Sequence, residues 1–195
     1  MSSNLIRCFI AIDVDNPALV SKIMDIQKRL EVEGTKLKPV EPENLHLTLF
    51  FLGEQPPKVI EKVQEAMSTI SFKPFSMKLK GLGAFPSYER PRVIWVGVTE
   101  GFEEIQKIYR SLRPKLQAIP LRLEPEEAFA PHITIARVKF SGYALKRVIA
   151  SLKDLELGLQ EVKSIKLKKS TLTPRGPIYE TLYELKGDRE VHAQQ

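Results

Sequence analysis

Two short strings carry residues suited to chemistry. His46-Leu47-Thr48-Leu49 and His132-Ile133-Thr134-Ile135 each place an imidazole and a hydroxyl two residues apart. Residues i and i+2 of a strand point to the same side. His46 and Thr48 therefore share one face, with Leu47 and Leu49 on the other. The second string repeats the arrangement with Ile133 and Ile135 turned inward. The apolar pair fixes each strand on a core while the polar pair is aimed outward. One such motif alone is ordinarily a half-buried strand with a polar face. Here two of the chain's three histidines stand in this setting. A strand has no need of histidine, since Val or Thr would serve the sheet better.

Splitting a phosphodiester needs a base to take a proton from the attacking oxygen and an acid to protonate the leaving one. Two imidazoles can share that work near neutral pH. Threonine hydroxyls, Thr48 and Thr134, can donate to the non-bridging oxygens where charge builds. Neither motif contains Asp, Glu or Cys, and His-x-His and His-x-x-x-His pairs are absent. No metal site and no cofactor is therefore expected.

The elements that position these strings recur. Leu5–Val14 is an apolar strand-like run. From Asn16 to about Val32, Leu19, Ile23, Ile26 and Leu30 recur at helical spacing, with Asp15 or Asn16 as N-cap. A polar connection at Glu41–Asn44 leads to the strand at Leu45–Leu52. Pro56 and Pro57 open a second helix, and an antiparallel strand pair follows, ending at Val93–Val98. The order then restarts: a helix over 101–119, which Pro114 is expected to end or kink, the connection Glu124–Glu127, the strand His132–Val138, a helix, and two strands. "VEPENLHLTL" answers "LEPEEAFAPHITI", with His46 and His132 86 residues apart. Trp95 lies 49 residues after His46 and Tyr183 51 after His132. This is an internal repeat. It implies an α+β fold of two pseudo-symmetric lobes, each a mainly antiparallel sheet backed by helices, around a central cleft. A single bilobal domain is expected over 1–186, with a polar tail at 187–195 that includes His192.

Composition is compatible with this. At 195 residues and 43% hydrophobic, the chain can bury a sizeable core. The one cysteine, Cys8, excludes an internal disulfide framework and reads as a buried strand residue. No apolar run is long enough to cross a bilayer, and the start is not read as a signal peptide. A reducing cytoplasm fits these features. The formal net charge of +6 suits an anionic partner.

With both motifs in view, the chain resembles the 2H phosphoesterase superfamily, and within it the bacterial and archaeal RNA 2',3'-cyclic phosphodiesterases, also called 2'-5' RNA ligases. The resemblance runs from "RCFIAI" at Arg7–Ile12 through "HLTLFFLGE" at His46–Glu54 and "GAFP" at Gly83–Pro86 to "PHITIAR" at Pro131–Arg137. It implies a bilobal LigT-like fold with both histidines in the central cleft. It implies hydrolysis of a 2',3'-cyclic phosphate to a 2'-phosphomonoester, with reverse 2'-5' joining in vitro. It also implies His46 as proton donor, His132 as proton acceptor and Arg137 as a phosphate-holding residue. The partner implied is RNA with cyclic-phosphate ends, tRNA halves among the candidates, with no membrane and no obligate protein partner. Hydrolysis of a small cyclic nucleotide, such as a cyclic phosphate of ADP-ribose, would use the same four side chains. A non-catalytic RNA-binding module would have no use for two proton-transfer groups.

Several residues keep two readings. Arg137 lies five places after His132, an odd offset, so it reaches the cleft only through a bulge or a strand end. Phe51, at the same offset after His46, is read as core, with base stacking as the alternative. Lys163, Lys166, Lys168, Lys169 and Arg175 form a basic run that either guides an RNA backbone or is a solvated strand face. Tyr88, Glu89 and Arg90 read as a solvated turn.

Overall fold

A computed structural model describes residues 4–126 and 129–188. Glu127 and residues 189–195 of the expected tail, His192 among them, lie outside the described residues. Strand β1 (Ile6–Asp13) feeds helix α1 (Pro17–Leu30), where the Asn16 side chain accepts from the Ala18 amide and Pro17 sits in the first turn. Strand β2 (Lys36–Pro39) and one 3-10 turn (Pro42–Asn44) lead to β3 (His46–Gln55). Helix α2 (Pro57–Ser68), β4 (Phe75–Phe85) and β5 (Val93–Val98) complete the first half. Helix α3 (Phe102–Gln117), β6 (His132–Phe140), α4 (Tyr143–Ser151), β7 (Glu156–Val162), β8 (Ser164–Thr173) and β9 (Gly176–Lys186) follow. Among the described residues, no helix is long and apolar enough to cross a membrane.

The strands form one antiparallel sheet in the order β7-β4-β5-β6-β3-β1-β8-β9, with β2 beside β6. At its centre β3 and β6 meet through the single pairing Leu47–Ile133. Either side of that seam the order is mirrored: β3-β1-β8-β9 on one flank, β6-β5-β4-β7 on the other. These flanks are the two lobes of the α+β fold, but each draws on both sequence copies. Strand β4, from the first half, pairs with β5 in the second lobe, and β8, from the second half, pairs with β1 in the first. Helices cross over likewise, α1 packing on α4 and α2 on α3.

Three local features depart from the sequence reading. Strand β2 has four residues, two of them lysine and one proline, too short a pattern to register as a strand. Strand β7 was hidden by Gly158 and by Leu159, which faces solvent. Helix α3 continues three residues beyond Pro114, whose carbonyl still accepts from the Ala118 amide.

The core lies between sheet and helices. Leu47, Ile133 and Ile135 are fully buried and Leu49 nearly so, as the alternation requires. Each such side chain contributes about 1.5–3 kcal/mol on leaving water. Cys8 is buried, and burial pushes its thiol up to about 11, leaving it protonated and unreactive.

Candidate active site

The two motif strands are shaped by matching bulges. On β3, Ala11 faces Thr48 but Ile10 faces Phe50, so Leu49 is the extra residue. On β6, Trp95 faces Thr134 but Ile94 faces Ala136, so Ile135 is extra. Each bulge turns two successive residues toward the core: Leu49 with Phe50, and Ile135 with Ala136. Alternation restarts one place late, and the residue five beyond each histidine comes to the cleft side. Arg137 arrives there by the bulge its odd offset demanded. Phe51 arrives there too, 58% exposed, so the core reading of Phe51 does not hold.

His46, Thr48, His132, Thr134 and Arg137 line one cavity of about 160 Å³, together with Phe51 and Tyr179. Lys38 and Arg175 add positive charge to its wall, and Glu41 is its acidic member. Among the described residues, Lys38, Arg137 and Arg175 enter no ion pair. A chamber of about 500 Å³ adjoins the cavity and shares His46, Phe51, Arg137, Pro177 and Tyr179 with it. No group of three or more His, Cys, Asp or Glu placed to hold a metal occurs among the described residues.

Both imidazoles are anchored in the same way. His46 Nδ1 lies 2.6 Å from the Asn44 carbonyl oxygen, and His132 Nδ1 lies 2.6 Å from the Ala130 carbonyl oxygen. A carbonyl only accepts, so each Nδ1 carries the proton that is donated. Nε2 is left to the cavity on both rings. It is a lone-pair base when the ring is neutral and an N–H acid when the ring is cationic.

The rings are also boxed by aromatics. Phe9 lies 5.0 Å and Tyr179 5.4 Å from the His46 ring; Phe85 lies 5.0 Å and Trp95 6.1 Å from the His132 ring. Trp95 packs directly over Gly83, where any Cβ would collide with its ring. Trp95, from the first copy, lies beside His132, and Tyr179, from the second, lies beside His46. Each ring's neighbour comes from the other copy because β4 and β5 join the flank of β6 while β8 and β9 join that of β1.

His46 has a charged neighbourhood. Asp13 stands opposite it in register and accepts from Lys166 at 2.8 Å and from the buried Lys168 at 2.6 Å. Burial alone would raise the Asp13 carboxyl, but the two lysines outweigh it and hold it below the usual carboxylate range. Burial pushes the His46 imidazole below its ordinary value, the Asn44 carbonyl opposing this. Lys168 adds to the lowering, and Asp13 opposes it.

The basic run is thus neither an RNA track nor a solvated face at its centre. Lys166 and Lys168 are consumed by Asp13, Lys169 pairs with Glu180 and Lys163 with Glu161. Only Arg175 of that run reaches the cavity. The turn at Tyr88–Arg90 lines neither chamber; the Tyr88 hydroxyl donates to Leu82 and Glu89 pairs with Lys146. Phe9, Asp13, Lys38, Phe85 and Tyr179 went unassigned in the sequence. Asp13 and Phe9 carried a readable signal, since they alternate on a strand that must flank a motif strand.

The family model described as LigT like Phosphoesterase matches the chain twice in tandem, over residues 14–95 and 96–179. A protein of Aeropyrum pernix named RNA 2',3'-cyclic phosphodiesterase is 41% identical, covering 86% of this chain and 96% of its own length. One of the same name from Methanocaldococcus jannaschii is 40% identical, covering 91% and 99%. Among solved structures, a Thermus thermophilus protein superposes with a TM-score of 0.76 at 27% identity, covering 94% of this chain and 100% of its own. E. coli LigT in complex with 3'-AMP gives a TM-score of 0.78 at 24% identity, covering 95% and 100%, a likeness of fold.

Proposed function

From the premise that the chain belongs to the LigT-like phosphoesterase family, we propose that it hydrolyses RNA 2',3'-cyclic phosphate ends to 2'-phosphomonoesters. The observation that carries this reading is the pair of imidazoles, each tied at Nδ1 to a carbonyl, with both rings on one cavity. The cyclic phosphate sits between them. His132 Nε2 takes a proton from water as its oxygen attacks phosphorus. His46 Nε2–H protonates the departing 3' oxygen, leaving the phosphate on the 2' oxygen. Thr48 and Thr134 donate to the non-bridging oxygens, and Arg137 holds the phosphate as a rigid bidentate donor. The same steps with a 5' hydroxyl in place of water, its proton taken by His132 and the 3' oxygen protonated by His46, join it to the cyclic end through a 2'-5' linkage.

The unpaired charge of Lys38, Arg137 and Arg175, and the chamber beyond the cavity, favour an RNA end over a small cyclic nucleotide. Halves of cleaved tRNA, bearing such ends, belong to the substrate class, and the cytoplasm is the compartment in which they would be met. The test is turnover of an oligoribonucleotide with a 2',3'-cyclic end in excess EDTA, with the product's phosphate position read by chromatography. The 2'-phosphate is expected at an undiminished rate. A 3'-phosphate product, or loss of activity that one divalent ion restores, overturns the two-histidine mechanism.

A further inference from the structure

The chamber beside the cavity has a composition the hydrolytic step does not use. It shares His46, Phe51 and Tyr179 with the cavity, whereas Lys38 and Glu41 line the cavity alone. Arg7 and Arg137 both line it, Ser170 adds a hydroxyl, and no acidic side chain does. Arg7 is exposed on β1, two residues before Phe9 and therefore on the same strand face. Glu54 stands across from Arg7 in register, yet among the described residues Arg7 enters no ion pair. Both guanidiniums act electrostatically on the Tyr179 hydroxyl, so their charges converge on one wall. Two unpaired guanidiniums facing one space, without a carboxylate, form a receptor for an anion.

Resting on the reading of the site as one for cyclic-phosphate RNA ends, we propose that this chamber binds the phosphate on the 5' side of the terminal nucleotide, with Arg7 as its principal donor. In an RNA chain that group is the linkage to the preceding residue, one nucleotide away from the cyclic phosphate. Arg137 borders both spaces and so can serve the reacting phosphate while Arg7 serves the next. Phe51, exposed on the shared wall, offers a ring face to the base between them. A nucleoside 2',3'-cyclic phosphate lacks the second anion and leaves Arg7 unused. Arg7 thereby selects a polynucleotide end over a free cyclic nucleoside.

The experiment measures binding of two probes by calorimetry, adenosine 2'-monophosphate and adenosine 2',5'-bisphosphate, to the full chain and to Arg7→Ala. The bisphosphate is expected to bind the wild type about tenfold more tightly, the size of one charge-assisted hydrogen bond. In Arg7→Ala the ratio of the two affinities falls to about one, and Arg7→Lys keeps part of it. Equal affinities in the wild type overturn the proposal. A ratio that survives in Arg7→Ala overturns it as well, by assigning the second phosphate to another group such as Arg175. Because the readout is binding, it is separable from the hydrolytic reading. Absence of cyclic-phosphate turnover with the bisphosphate advantage intact would sink the latter alone.

Discussion

The two histidine niches are built on one plan and finished differently. Each ring gives its Nδ1 proton to the carbonyl two residues before it, each strand carries a bulge three places on, and each ring touches two aromatics. The backbone part of the plan is the same in both. What stands across the sheet is not: Asp13 faces His46, whereas Gly97 faces His132. Behind His46 lie a carboxylate and a buried lysine; behind His132 lie a glycine and the indole over Gly83. Duplication has conserved the geometry that orients Nε2, and the electrostatics have diverged. Two rings that must hold opposite protonation states need unlike surroundings, but burial holds free His46 toward its neutral form, so the charge that makes it an acid has to come with a bound phosphate.

The largest effect tests whether the difference assigns roles. His46→Ala and His132→Ala are each expected to lose about a hundred- to ten-thousandfold in rate. Both variants stay folded, since the rings project from the core face. A substrate with a good leaving group at the 3' position needs little acid. It is expected to rescue His46→Ala and not His132→Ala, measured as the rate relative to wild type. Rescue of His132→Ala instead reverses the roles, and equal rescue removes them.

The next effect isolates the carboxylate that only one niche has. Asp13→Asn leaves the buried Lys168 ammonium without its partner. A loss of about 3 kcal/mol in unfolding free energy is expected, since breaking a buried ion pair strands a charge. The double variant Asp13→Asn with Lys168→Met removes both charges and is expected to recover much of that loss in a urea titration. Additive losses would show that the pair does not hold the first niche together.

Much of this difference was illegible in the sequence, for a physical reason. The motifs could be read because strand alternation is local: His46 with Thr48, and His132 with Thr134, follow from spacing alone. The bulge at Ile135 was also within reach, since Arg137 had an odd offset to explain. The bulge at Leu49 was not drawn from Phe51, because an aromatic at an odd offset is equally well explained by burial. Lys166 and Lys168 looked like a basic face because their partner, Asp13, is 153 and 155 residues away in sequence. Only the pairing of β8 with β1 brings them together. A matching exchange of strands between the lobes brings Trp95, from the first copy, to the histidine of the second. Local period gave the site, while long-range pairing decided its surroundings.

A smaller effect compares the residues that the two bulges deliver. Arg137 and Phe51 hold equivalent places, one a charge and the other a ring face. Arg137→Ala is expected to lower kcat/KM by about tenfold or more, the size of a hydrogen bond to a charged group. It is also expected to flatten the fall of oligonucleotide affinity with salt. Phe51→Ala is expected to leave the salt slope intact and to weaken oligonucleotide binding by about 1–3 kcal/mol, one stacked base. Identical salt slopes in the two variants would mean that Arg137 is an ordinary surface arginine.

The smallest effect is the titration of His46 itself. Burial favours the neutral ring, so the His46 imidazole is expected to titrate below the ordinary histidine value of about 6.5. The sign for stability follows. The unfolded chain binds a proton on this ring at higher pH than the folded protein does. The stabilising contribution is full above about pH 6.5 and is lost as pH falls from there through the depressed folded value. An anion in the cavity acts the other way, because negative charge beside the ring favours its cation. Phosphate binding is therefore expected to raise the His46 titration and to take up a proton, which arms the ring as an acid only once substrate is present. Asp13→Asn removes a group that opposes the depression and is expected to lower the titration further. Ring-proton NMR of the free and phosphate-bound protein measures all three shifts. A His46 that fails to rise with phosphate would break its role as the acid, and one that titrates at or above the ordinary value in the free protein would show that burial does not set its charge.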